Sequence, residues 1–146
     1  MSIRPETTAA VTRGVMRMLA DLGLSPIAEV SLATGRRVDV MAIGKTGDIT
    51  VVEVKSALED YQADKKWQEY LEYCDRFFFA VGEGFPIDIL PPETGLIVAD
   101  AYGAAIHREA AVSPLPAARR KAMLIRYGQA ASARLLTLTD PGFRTL

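Results

Sequence analysis

A chain of 146 residues, 49% hydrophobic and 24% charged, has the composition of one soluble folded domain and not of a disordered segment. Its formal net charge of −1 gives no overall attraction for a polyanion, so any nucleic-acid contact needs a local basic patch. The single cysteine, Cys74, excludes an intrachain disulfide framework and a Cys-rich zinc site. No stretch approaches the ~20 apolar residues of a membrane span, and the start MSIRPETTAA has no apolar leader, so the expectation is a cytoplasmic protein forming a single domain over residues 1–146.

In chain order, Val11, Val15, Met16, Leu19 and Leu22 recur at helical spacing and predict a helix over residues 5–22, stopped by Gly23. Residues 27–33 alternate like a strand. A second strand, RRVDVMAIG (36–44), a turn at 45–48 and a third strand, ITVVEVK (49–55), read as a hairpin. A second helix is expected over residues 58–73, followed by RFFFAVG (76–82), too apolar for an edge strand. A Pro/Gly-rich connection leads to a late hairpin, 95–100 and 104–109, and a last helix over 115–136. Consecutive strands before a crossover helix predict an α/β domain with a mixed sheet and helices on its faces.

Two of these strands carry acids. Strand side chains alternate between faces, so Ile49, Val51, Glu53 and Lys55 share one face of the third strand, and Arg37, Asp39 and Met41 share one face of the second. If the two strands form a hairpin, Asp39 and Glu53 meet near one end of it. Two carboxylates near a core repel each other and lose hydration. Such a pair persists if a cation lies between them, and a few oxygen ligands with room for water favour Mg²⁺ or Mn²⁺. Such an ion can activate a water and neutralise a developing phosphoryl charge, and Lys55 would add a fixed positive donor beside the same phosphate. The alternative is a solvent-facing salt-bridge cluster on a half-exposed sheet.

Asp39 followed fourteen positions later by Glu53-Val54-Lys55, in an α-β-β-β-α-β order, resembles the PD-(D/E)XK nuclease superfamily, with Val38 where its name expects Pro. The longer strings EVKSALEDYQADKKWQEYLEYCDRFFFAV and PPETGLIVADAYGAAIHRE resemble the bacterial MmcB-type DNA-repair family, which is similar to these nucleases. The resemblance implies a restriction-endonuclease-like fold and metal-dependent hydrolysis of DNA. Asp39, Glu53 and the Val54 carbonyl would be the metal ligands, and Lys55 would assist the water or the transition state. It also implies a further acid near the first helix, for which Glu6 and Glu29 stand in position, and it suits a homodimer able to reach both strands of a duplex. The alternative within the same fold is a DNA-binding or adaptor domain without turnover.

The remaining charges point to DNA less directly. Arg119, Arg120 and Lys121, with Arg126 seven places after Arg119, form the best basic patch, and Arg36 and Arg37 rank next. Asp60 and Asp64 on the second helix could approach the acids, with Lys65 or Lys66 touching phosphate; the alternative is a solvated helix face, and Asp60 reads as that. Trp67 and Tyr70 read as core packing, Cys74 as a small buried side chain, Asp75 as the residue fixing the turn into the next strand, and His107 as a surface residue. The absence of a G-x-x-x-x-G-K-[ST] loop argues against a nucleotide cofactor.

Overall fold

The computed structural model describes residues 7–57, 61 and 66–143. Helix α1 (Thr8–Asp21) starts at Thr7, whose Oγ1 accepts the Ala10 N–H at 3.1 Å and so satisfies one of the open amides of the first turn. Then come β1 (Ser25–Ser31), β2 (Arg37–Ile43) and β3 (Ile49–Lys55). A 3₁₀ helix (Trp67–Tyr73) precedes β4 (Arg76–Gly82), and β5 (Gly95–Ala99), β6 (Ala104–Arg108) and the long helix α2 (Ala117–Thr139) complete the chain.

The six strands lie in chain order across one sheet. β1, β2 and β3 pair antiparallel, β4 and β5 run parallel to β3, and β6 returns antiparallel. This is a mixed α/β sheet flanked by helices, consistent with a restriction-endonuclease-like fold. The crossovers into β4 and β5 step the same way along the sheet, so chain handedness places both on one face. There Trp67, Tyr70 and Leu90 pack with Leu115 and Met123 over Met41, Val51, Phe77 and Phe79. On the opposite face Val11, Val15 and Leu19 of α1 cover Val40, Ala42, Val52, Val54, Phe78 and Ile97.

Two elements differ from expectation. The helix predicted over 58–73 falls partly outside the described residues (58–60 and 62–65); Tyr61 is helical, and the stretch Trp67–Tyr73 is 3₁₀. The reason lies in the side chains: Trp67 and Tyr70 are buried and Tyr73 is half-buried, a repeat of three that matches three residues per turn rather than 3.6. The last helix begins after Pro116 and runs to Thr139, beyond the predicted stop. The expected β2–β3 turn forms, with Gly47 at φ +87° and its N–H donating to the Gly44 carbonyl at 3.0 Å.

Helix α1 rests directly on the β5–β6 hairpin. A Cβ at Gly14 would sit 1.9 Å from the Asp100 carbonyl oxygen and 2.5 Å from that of Gly103. Because backbone cannot step aside as a flexible side chain can, Gly14→Ala is expected to destabilise the fold by about 1–3 kcal/mol or more. Gly128→Ala on α2, where nothing lies within 4 Å of the new atom, is expected to stabilise by about 0.5–1 kcal/mol. Urea denaturation of the two variants checks both signs.

Candidate functional site

The site is built where the sheet ladder opens. β2 and β3 pair from Ile43↔Ile49 to Val40↔Val52, and there the backbone pairing stops. One step further the same register would set Asp39 opposite Glu53. Here side chains replace the ladder: the Asp39 N–H donates to Glu53 Oε1 at 3.0 Å, and the Val54 N–H donates to Asp39 Oδ2 at 2.7 Å. Each carboxylate thus reaches across to the backbone of the other strand, and these bonds fix both side chains. Strand alternation sends them to the face that carries Met41 and Val51, beneath the 3₁₀ helix.

β1 is distorted at the same level. Its pairs Ala28↔Val40 and Val30↔Val38 bracket Glu29, which takes a left-handed φ of +58°. That conformation costs a non-glycine residue about 1–3 kcal/mol and needs outside support. Support comes from Arg134 on α2, whose guanidinium donates to the Ala28 and Glu29 carbonyls.

Glu53 and Lys55 are buried although both are ionisable. Burial, and after it the neighbouring Asp39 charge, push the Glu53 carboxyl up to about 8, against the backbone amide of Asp39 and the charge of Lys55. Burial also raises Asp39, opposed by the Val54 amide, the hydrogen bond with Glu53, and the charges of Lys55 and Arg37. The two acids therefore behave as one unit that holds a proton near neutral pH in the absence of a competing cation.

A wall that sequence reasoning missed stands beside this pair. Arg36 Nε lies 3.0 Å from Glu69 Oε2, and its guanidinium sits 5.5 Å from the Tyr70 ring centroid. Burial and then the Glu53 charge raise the Tyr70 phenol, while Arg36 lowers it. Tyr70 is core, as its periodicity indicates, but the charges of both acids also act on its hydroxyl. Nothing in its spacing distinguishes the two roles.

The other expected residues scatter. Arg37 stays close: its Nη1 is 3.2 Å from Glu29 Oε2 and its charge acts on Asp39. Lys66 is exposed at the start of the 3₁₀ helix, and Lys65, Asp60, Asp64 and Glu6 lie outside the described residues. Arg119 donates to the Glu72 carbonyl at 3.1 Å and lies 4.5 Å over the Tyr73 ring. Arg120 is committed inside the fold, gripping Asp75 with two bonds of 2.7 Å. Lys121 is exposed on α2. Glu29, one strand away, points to Arg37 and does not join the pair. Among the described residues no third His, Cys, Asp or Glu gathers with Asp39 and Glu53. The Thr8 hydroxyl donates to Ser56 at 2.9 Å, which brings the start of α1 to the Lys55 end of β3.

Oxygen donors only, two of them carboxylates, suit a hard divalent ion that keeps several waters, and they do not suit zinc or copper. Among the described residues no helix is long and apolar enough to cross a membrane.

A family model described as DNA repair protein MmcB-like matches residues 2–142. A protein of unknown function from Silicibacter pomeroyi is similar throughout, 44% identical with a TM-score of 0.92, the match covering 100% of this chain and 99% of that one. None of the curated proteins compared matches. The family match spans nearly the whole sequence, including both strands of the open ladder and the wall beside it, and on that extent the chain belongs to the MmcB-like DNA repair protein family.

Proposed function

We propose that this protein is a metal-dependent DNA nuclease of the PD-(D/E)XK type acting in DNA repair. The observation that carries the reading is the meeting of a buried acid, Glu53, and a half-buried one, Asp39, at the point where the β2–β3 ladder opens, with Lys55 buried beside them. Without a cation the pair must keep a proton, which is a poor reason to plant two acids in a sheet. With Mg²⁺ or Mn²⁺ both can ionise.

Asp39 and Glu53 would hold the ion together with the Val54 carbonyl. When bound, it supplies an activated water and positive charge beside the scissile phosphate. The chain itself does the positioning. The Asp39 and Val54 amides lock the two carboxylates, so little ordering remains to be done at the moment of reaction. Lys55, on the same strand face as Glu53, presents an ammonium group to a phosphoryl oxygen. Arg36 and Tyr70 close one side.

A second reading keeps the fold for DNA binding without turnover. It is favoured by the structural work that each acid already does, since each satisfies a backbone amide that the open ladder leaves unpaired. Cleavage of DNA with added Mg²⁺ or Mn²⁺, lost in Asp39→Asn, supports the nuclease. DNA binding that persists in that variant, with no product from the wild type under any divalent ion, supports the second reading.

A further inference from the structure

We propose that two grooves flanking edge strand β1 form one track for the DNA phosphate backbone, meeting at Glu29 and leading to Asp39. The proposal rests on the nucleic-acid reading above and names the surface that would deliver the substrate.

β1 pairs only with β2 and forms one edge of the sheet. Between β1 and α2 runs a groove of about 350 Å³ lined by Glu29, Ser31, Arg126, Gln129 and Arg134. Between β1 and α1 lies another of about 660 Å³, lined by Thr8, Thr12, Arg13, Arg17 and Glu29. Glu29 belongs to both, so they join across the edge. Their described lining holds four arginines and one acid, and that acid is already paired with a fifth arginine, Arg37. In a chain of net charge −1 this is a strong local excess.

Three of the four guanidinium groups are also held in place. Arg126 Nη1 donates to the Ser31 carbonyl at 3.1 Å, Arg17 Nη1 to the Tyr102 carbonyl at 3.3 Å, and Arg134 to the Ala28 and Glu29 carbonyls. A guanidinium has five N–H donors, so such contacts orient the group without exhausting it. Gln129, Thr8 and Thr12 add neutral polar groups. Among the described residues no aromatic side chain lines either groove, which fits contact with phosphates rather than base stacking or an aromatic protein anchor. At the junction, the β1–β2 register sets Glu29 level with Asp39, and Arg37 acts on both. A backbone crossing the edge there arrives one strand from the acids.

The test is fluorescence anisotropy with the full chain in EDTA, using a short labelled duplex and the matching single strand, each over a range of salt. Arg13→Gln, on the exposed face of α1, is expected to weaken binding about 3-fold or more and to lower the salt slope by about 1. Adding Arg126→Gln is expected to bring the loss to about 10-fold or more, with a further drop in slope. Lys45→Gln, exposed in the β2–β3 turn at the far end of the hairpin, removes the same charge elsewhere and is expected to change nothing. A stronger response by the duplex identifies it as the occupant, and a stronger response by the single strand identifies that form on the same track. Unchanged affinity in Arg13→Gln and the double variant, equal loss in Lys45→Gln, or no binding of either DNA by the wild type overturns the proposal. EDTA keeps the metal out, so absence of cleavage elsewhere leaves this result standing, and failure of the track leaves the metal site untouched.

Discussion

Replacing Asp39 by Asn is expected to slow Mg²⁺-dependent cleavage of DNA by about 10²–10³-fold or more, comparable to the loss of a single key electrostatic group in other hydrolytic sites. The substitution is chosen to spare the fold. An Asn side-chain oxygen can still accept the Val54 N–H that Asp39 Oδ2 now accepts, so the open end of the ladder stays closed by the same bond. What disappears is the charge that would hold the ion. Glu53→Gln follows the same logic, because the amide oxygen can accept the Asp39 N–H. It also removes the buried acid of the pair, so this variant should gain stability relative to the wild type in alkaline solution, where the wild-type pair must ionise fully. The sign follows from Glu53 standing above its ordinary value at about 8: the native state binds the proton more tightly, and stability falls as pH rises toward that value. Loss of cleavage in both variants, with a melting temperature not lowered in Asp39→Asn and not lowered or raised in Glu53→Gln, is the expected pattern. Wild-type rates in either one contradict the assignment.

Asp75→Ala is expected to cost about 3–5 kcal/mol, the range for stripping one partner from a buried ion pair. Asp75 is 4% exposed and joins three parts of the fold. Its carboxylate accepts the Ile49 N–H at 2.7 Å at the start of β3, the Leu115 N–H at 2.8 Å ahead of α2, and both guanidinium nitrogens of Arg120. Its own N–H donates to the Ile49 carbonyl, and its carbonyl accepts the Ser113 N–H. Alanine would leave two amides and one guanidinium without their acceptor. In a domain of this size the loss should lower the melting temperature by roughly 10 °C. The wild type carries the matching acid sensitivity. Burial raises the carboxyl, but the Arg120 bonds and the two amides outweigh it and hold it down at about 2. A carboxyl held below its ordinary value adds stability above that ordinary value and loses it as pH falls through the lowered one. Denaturation midpoints should therefore drop between about pH 4 and 2 in the wild type, and the Asp75→Ala protein should lack that component of the drop. A midpoint in Asp75→Ala equal to that of the wild type near neutral pH contradicts this account.

Sequence alone carried the hairpin and its acids. The alternation in RRVDVMAIG and ITVVEVK sets Asp39 and Glu53 on one face because a strand has a fixed period of two, and the turn at Gly47 fixes the register. Asp75 was legible as a turn-fixing residue, but not its grip on Arg120, which lies 45 positions away and is joined to it by tertiary packing alone. For the same reason the basic run at 119–121 reads as one patch, although Arg119 caps the 3₁₀ helix and Arg120 is tied to Asp75 and the Gly47 carbonyl. Arg13, Arg126 and Arg134 come from opposite ends of the chain and share only the edge of β1. The left-handed Glu29 gave no signal either, since residue type favours that conformation in glycine and asparagine, not glutamate.

If Asp39 and Glu53 share one divalent ion, titration calorimetry of Mn²⁺ into the purified full chain will detect it without any substrate. The predicted result is a single site whose affinity rises with pH up to about 8, with release of about one proton below that value, and whose binding is lost in both Asp39→Asn and Glu53→Gln. No binding by the wild type, or binding that survives in the two variants, would contradict it.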